Sequence, residues 1–292
     1  MANESAGTWT VLKLLKWTGL YLADARIDEP RLCAEMLLAQ VLGCRRIELY
    51  TRFDHQPSPD QLAAFRELVK RARRHEPVAY LVGWREFYSL RFKVTPDVLV
   101  PRPETEQLVD EAISHFKSAG RGGLMWDICT GSGCVAVAAA VRIPGLSVLA
   151  SDISPEAVAV ATENAEAHGM SRRVRCRTSD LAALPGDCAK TAQFDVITAN
   201  PPYVADADEV AEEVKREPRI ALYAGADGLD AIRRLVAQVG AHLGPGGLFA
   251  MEFGSGQAGA VRDLLVATGQ FAEPRILTDH RGIERTAAAV RT

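Results

Sequence analysis

The hydrophobic rhythm of this chain changes twice. Over roughly the first eighty residues, apolar side chains recur every three or four positions, the spacing of helices that each bury one face. Val11, Leu12, Leu14, Leu15 and Leu22 form one stripe; Leu32, Met36, Leu37, Val41 and Leu42 form a second, closed by Gly43; a third runs from Ser58 through Leu62, Phe65, Leu68 and Val69. Pro57 and Pro59 act as breakers before the third. The pattern predicts a small helical bundle over residues 1–84. From Phe87 the period falls to two: Leu90, Phe92 and Val94 alternate with polar residues, Val98 to Val100 is a second apolar run, and Thr95-Pro96-Asp97 between them is turn chemistry. A β-hairpin with a proline-rich linker is predicted over residues 85–103.

Beyond the linker, short apolar runs alternate with helical stretches. Strands are predicted at 124–128, 147–151, 174–177, 194–199, 247–252, 275–277 and 286–290, with helices between most of them, for example 155–168 and 229–243. Alternating β and α predicts an α/β domain over residues 104–292, a mostly parallel sheet covered on both faces. The joint before it, Pro101-Arg102-Pro103-Glu104-Thr105-Glu106, combines two stiffening prolines with acids in the first turn of a helix.

Composition narrows the classes. The 292 residues carry 34 Lys+Arg against 37 Asp+Glu, a net charge of −3, with 48% hydrophobic residues. That is ordinary globular composition and lacks the basic excess of a protein that coats nucleic acid. Residues 1–84 net +2 and the remainder −5. One basic cluster stands out, Arg66, Lys70, Arg71, Arg73 and Arg74. It reads as the solvated face of a helix, with a docking surface for an acidic or RNA-bearing partner as the sharper alternative. No apolar run is long enough to span a membrane. Met1 to Thr8 lacks the layout of a secretory signal, so a cytoplasmic location is expected. Cys33, Cys44, Cys129, Cys134, Cys176 and Cys188 form no CxxC pair. Buried thiols are expected, and no metal site.

Two segments carry chemistry. The first is Asp127-Ile128-Cys129-Thr130-Gly131-Ser132-Gly133-Cys134, which follows a predicted strand and opens a helix rich in Ala and Val. Glycines there permit a sharp turn and close backbone approach to a ligand at the positive end of a helix. Asp152 closes the next strand, where a carboxylate can accept hydrogen bonds from two ribose hydroxyls. Together they predict a nucleoside-containing cofactor. Gly131-Ser132-Gly133-Cys134-Val135-Ala136 satisfies the dinucleotide pattern, whereas Asp127 favours a cofactor carrying an ammonium group over a pyrophosphate.

The second segment is Asn200-Pro201-Pro202-Tyr203, at the C-terminal end of the predicted 194–199 strand. The prolines remove two backbone donors and fix the local backbone. The Asn200 side-chain oxygen and the Pro201 carbonyl can then accept both hydrogens of one planar NH2 group, and Tyr203 offers a flat face for that group to lie against. An amide or exocyclic amine nitrogen is a poor nucleophile because its lone pair is delocalised. Fixing both N–H bonds lowers the entropic barrier to attack on a methyl group, and the acceptors stabilise positive charge developing on nitrogen.

This motif after that glycine loop resembles the amino-methylating branch of class I methyltransferases, which includes adenine-N6 DNA methyltransferases and protein glutamine-N5 methyltransferases. Pro101 to Glu106 resembles the signature of the release factor glutamine methyltransferases, the HemK/PrmC-like family. So do Glu217-Pro218, Ala221-Leu222, Gly225 to Asp230, Glu252-Phe253-Gly254 with Gln257, and Asp279 to Arg285. The resemblance covers nearly the whole chain. It implies a Rossmann-like domain with a mixed seven-stranded sheet, S-adenosylmethionine as cofactor, and, as substrate, the Gln of the Gly-Gly-Gln loop in class-1 peptide chain release factors, docked with help from the helical domain of a monomer. It further implies that Cys129, Thr130, Gly131, Ser132 and Gly133 form the cofactor loop and that Asp152 holds the ribose. Asp180 and Leu181 would flank the adenine, and Asn200, Pro201, Pro202 and Tyr203 would bind the glutamine amide. Cys129 stands where the family commonly has Gly, Leu181 where it often has Trp, and Ala224 where it often has Gly. A ribosomal-protein glutamine methyltransferase, a DNA adenine methyltransferase and a non-catalytic NAD-binding protein are the alternatives.

Overall fold

The structure is a computed structural model that describes residues 9–120, 122–186 and 193–292. Cys188 and the N-terminal residues expected to lack a secretory signal lie outside the described residues. The chain divides into two compact units, one running to Gly83 and including Ala211–Arg216, the other comprising Trp84–Val210 and Glu217–Thr292.

The first unit is built from α1 (Val11–Asp24), α2 (Pro30–Leu42), α3 (Pro59–Arg73) and the short α4 (Val78–Val82). The starts of the three longer helices are chemically marked. Thr10 caps α1, Pro30 occupies the first turn of α2, and Ser58 and Gln61 form a reciprocal capping box at α3, just before Pro59. Gly43 ends α2 in the left-handed conformation. The predicted stripes are buried on α1 (Val11, Leu14, Leu15 and Leu22) and α3 (Phe65 and Val69). On α2 only Leu37 of the predicted stripe is buried, beside Ala34, Leu38 and Ala39, while Leu32, Met36, Val41 and Leu42 are half-buried. The basic cluster falls at the C-terminal end of α3, where cations suit the helix dipole. Lys70 pairs with Glu67, Arg71 with Glu76 and Arg73 with Asp24.

The second unit begins with a hairpin of β1 (Trp84–Phe87) and β2 (Leu90–Lys93). This corrects the predicted hairpin. The turn is Tyr88-Ser89, both with positive φ, 52° and 60°, and Val98 to Val100 forms no strand. A two-residue turn of that kind matches strand twist, but without Asn or Gly it left no mark in the sequence. Glu106 accepts from the Tyr88 N–H and Asp110 from its hydroxyl, which hold the turn against α5 (Glu106–Ala119).

A seven-stranded sheet follows. Its strands are β3 (Leu124–Ile128), β4 (Ser147–Asp152), β5 (Val174–Thr178), β6 (Phe194–Ala199), β7 (Leu243–Glu252), β8 (Arg275–Thr278) and β9 (Glu284–Val290), in spatial order β5-β4-β3-β6-β7-β9-β8. β9 runs antiparallel to both neighbours and the other pairings are parallel. Helices α6 (Cys134–Arg142), α7 (Pro155–Ala167), α8 (Asp230–Val239) and α9 (Ala258–Ala267) connect the strands. The predicted helix to residue 243 stops at Val239, because Leu243 already pairs with Phe194; the Gly-Pro-Gly-Gly run after it had hidden the strand.

Alternation along each strand builds two cores. Met125, Val196, Leu248 and Ala250 face one side with α5 and α6; Trp126, Ile197, Phe249 and Met251 face the other with α8 and α9. Burying such a side chain stabilises the fold by about 1.5–3 kcal/mol. Trp126 is fully buried, and its indole N–H donates to the Ser151 hydroxyl on the neighbouring strand at 2.8 Å, so its polar atom is not stranded. The sheet order reverses between β3 and β6, which opens a crevice beyond their C-terminal ends.

Candidate active site

A cavity of about 280 Å³ occupies that crevice. The end of β3 feeds the glycine loop into it. The Thr130 N–H donates to the Ser151 carbonyl and the Gly133 N–H to the Thr130 carbonyl, closing a tight turn. Gly131 and Gly133 have φ of 54° and 77°, conformations that side chains adopt only at a cost. Cys129, at the family's common Gly position, nevertheless adopts φ 56°. Its side chain therefore sits in a strained backbone, as does that of Leu181 at φ 49°.

Five aspartates line the cavity, Asp97, Asp127, Asp152, Asp180 and Asp230, and three of them stand on the glycine-loop side: Asp127, Asp152 and Asp180. Asp127 is buried and accepts from the Thr130 hydroxyl at 2.6 Å and the Thr198 hydroxyl at 2.7 Å. Burial pushes its carboxyl up to about 6. Asp152 accepts from the Gly131 N–H at 2.9 Å and the Ser154 N–H at 3.1 Å, so the glycine loop and the end of β4 are tied together. Burial raises its carboxyl above the usual range. Asp180 is held by Arg234 of α8 at 2.6 Å, an exposed pair that nothing in the sequence announced. This acidic lining fits a cationic cofactor such as S-adenosylmethionine and repels a pyrophosphate. Leu181 and Ile153 supply apolar surface beside it.

Asn200 and Pro202 line the same cavity from the end of β6, together with Cys129, Thr130 and Ser132. Gly133, Pro201 and Tyr203 are not among its lining residues. A Cβ on Gly133 would lie 3.0 Å from the Ala161 Cβ on α7, so this glycine permits close packing of loop on helix. Tyr203 turns its hydroxyl to Glu252, donating at 3.0 Å, and its ring packs against the apolar core of that face. Its hydroxyl is thereby anchored at the end of β7. Burial and the adjacent Glu252 push the Tyr203 phenol well above its ordinary value. The turn is braced by the Tyr203 and Val204 N–H groups donating to the Leu222 carbonyl, and by Gln257, whose Nε2 donates to the Tyr203 carbonyl at 3.0 Å.

Two buried arrangements escaped the sequence reading. Asn200 Nδ2 donates to the Thr105 hydroxyl at 3.3 Å, and Thr105 donates to Glu252 at 2.6 Å. Glu252 is fully buried, which pushes its carboxyl up to about 7. Glu217, also buried, pairs with Arg102 and accepts from the Val100 N–H at 2.9 Å. Thr105 and Arg102 both line the cavity. These links join positions 95 to 147 residues apart. The available signal was a carboxylate closing the apolar run Leu248 to Met251.

Comparison with known proteins agrees with this architecture. Residues 13–83 match the family model described as the PrmC N-terminal domain, and residues 111–227 match the methyltransferase small domain. A release factor glutamine methyltransferase of Rhodopirellula baltica is 44% identical over 293 residues, covering 98% of each chain. One of Geobacter sulfurreducens is 41% identical over 286 residues, covering 97% of each. Among solved structures, a 16S rRNA N2 methyltransferase of T. thermophilus, in complex with AdoMet and guanosine, superposes with a TM-score of 0.52 at 18% identity. It covers 72% of this chain and 51% of that one, a likeness of fold alone. With near-full-length identity at this level, the chain belongs to the release factor glutamine methyltransferase family.

Proposed function

We propose that this protein transfers a methyl group from S-adenosylmethionine to the side-chain amide nitrogen of the Gln in the Gly-Gly-Gln motif of class-1 peptide chain release factors. Membership of the family supports the reaction. The observation that carries the site is that Asn200 and the acidic glycine-loop pocket share one cavity. When bound, S-adenosylmethionine supplies an electrophilic methyl group on a sulfonium. Asp152 would hold its ribose, Asp180 and Leu181 its adenine, and the Cys129–Gly133 loop its methionine portion.

The chain's own work is orientation. The Asn200 Oδ1 and the Pro201 carbonyl accept the two N–H bonds of the substrate amide, which directs the nitrogen lone pair across the cavity. The same acceptors stabilise positive charge as it builds on that nitrogen. No strong general base is needed, because the proton becomes acidic only once the new bond forms. Pro202 lines the cavity and, with no N–H of its own, leaves the acceptors without competition. The helical unit is assigned to docking the release factor, and the site of action to the cytoplasm, where translation ends.

The test is methyl transfer from labelled S-adenosylmethionine to purified release factor, beside a Gly-Gly-Ala version, a ribosomal-protein fraction and duplex DNA. Label confined to the Gly-Gly-Gln factor is expected. Label on ribosomal protein or DNA instead would overturn the substrate while keeping the amide chemistry.

A further inference from the structure

The amide of Asn200 has two ends of similar shape and opposite chemistry. Only the oxygen end accepts a hydrogen bond from a substrate NH2 group; the nitrogen end would set donor against donor. Some feature of the protein must therefore choose between them. We propose that Thr105 and Glu252 are positioning residues that fix the Asn200 amide with its oxygen available to the substrate. The proposal rests on the reading of Asn200 as the amide-binding residue.

Proton bookkeeping carries the argument. An ionised carboxylate only accepts. Glu252 accepts from Tyr203 at Oε1, 3.0 Å, and from Thr105 at Oε2, 2.6 Å. Thr105 has a single hydroxyl proton, and it is committed to Glu252. Towards Asn200 the Thr105 oxygen is left as an acceptor, so Asn200 must present Nδ2, as it does at 3.3 Å. A flipped amide would place Oδ1 against the Thr105 oxygen with no proton between them. Glu252 is fully buried and Thr105 nearly so, which leaves the hydroxyl proton between them no competing acceptor in solvent.

The lock depends on the charge of Glu252. Once protonated, Glu252 can donate from one oxygen, Thr105 is released to donate towards Asn200, and both amide orientations become equivalent. The groups that face Glu252 are the hydroxyls of Thr105 and Tyr203, which hold the charged form, Arg285, which favours it, and Glu104, which opposes it. Burial outweighs the rest and brings its ionisation to about 7. The lock is engaged above that pH and loosened below it.

The experiment compares full-length wild type, Thr105→Val, Thr105→Ser, Glu252→Gln and Asn200→Ala, with kcat and KM for release factor measured from pH 6 to 9. Thermal melting and the S-adenosylmethionine Kd are measured beside them. Thr105→Val and Glu252→Gln should lower kcat by about two- to tenfold, twofold being the loss when both amide orientations are equally populated, with cofactor Kd unchanged. Thr105→Ser should restore most of the rate, since it returns only the hydroxyl. Wild-type kcat should rise with pH across about 7, and that rise should be absent in Glu252→Gln. If Asn200→Ala is inactive while Thr105→Val turns over like wild type, the positioning role is wrong and the amide reading stands. If Asn200→Ala itself is active, the amide reading fails. Should Thr105→Val not fold, the pH profiles decide, and the same profile in wild type and Glu252→Gln overturns the proposal.

Discussion

Gly131 and Gly133 sit two residues apart in one turn, share a left-handed backbone, and should fail in opposite ways when given a side chain. At Gly133 an added Cβ would lie 3.0 Å from the Cβ and 3.2 Å from the Cα of Ala161, a fully buried residue of α7. At Gly131 nothing lies within 4 Å, and the residue lines the cavity. Both Ala variants incur about 1–2 kcal/mol of backbone strain, offset by about 0.4–1 kcal/mol through the stiffer unfolded chain. Only Gly133→Ala adds overpacking, about 1–3 kcal/mol. Gly133→Ala should therefore melt roughly 2–12 °C below Gly131→Ala, taking about 2–4 °C per kcal/mol for a domain of this size. S-adenosylmethionine affinity, by calorimetry, should fall more in Gly131→Ala. Adding Ala161→Gly to Gly133→Ala removes the offending contact and should recover part of the lost stability. Equal melting temperatures for the two single variants would refute the packing argument.

Other expectations concern charge. Because burial raises Asp127 from 3.8 to about 6, the folded protein keeps a proton that the unfolded chain releases, and stability falls as pH rises between about 4 and 6. Urea denaturation of Asp127→Asn should show a shallower slope there, the remainder coming from the raised Asp152 and Glu252 carboxyls, and an unchanged slope would count against it. Arg102→Met strands buried Glu217 and should cost about 3 kcal/mol, the lower end for a broken buried pair because Arg102 is partly exposed; a loss below about 1 kcal/mol in denaturant titration would contradict the pairing. Replacing Arg66 and Arg74 by Glu should leave KM for the release factor unchanged, as for a solvated helix end. A clear rise in KM would make this end of α3 a docking surface.

What was legible in the sequence followed from local rules. The stripes of α1 and α3 announced themselves through a period of 3.6, and the parallel strands through short apolar runs between helical stretches. The glycine loop and Asn200 could be located because their chemistry is compressed into consecutive residues. The hairpin was misplaced because Tyr88 and Ser89 adopt turn conformations that neither residue type advertises. Thr105, Glu252, Arg102 and Glu217 stayed hidden because each has its partner more than a hundred positions away, and no periodicity encodes a pairing of that kind. Tyr203 was placed by its motif, but the anchor of its hydroxyl, a buried carboxylate that only the fold brings near, was not.

The position of β9 sets the order of assembly. This last strand lies between β7 and β8, with Ala250 facing Ala288 on one side and Arg275 facing Ala288 on the other. Until residues 284–290 leave the ribosome, β7 has an open edge and β8 has nothing to pair with. β7 also ends in Glu252, the carboxylate that meets Thr105 and Tyr203. The catalytic unit is thus kept from closing early in synthesis, and its nascent form carries a bare apolar edge of the kind that chaperones shield.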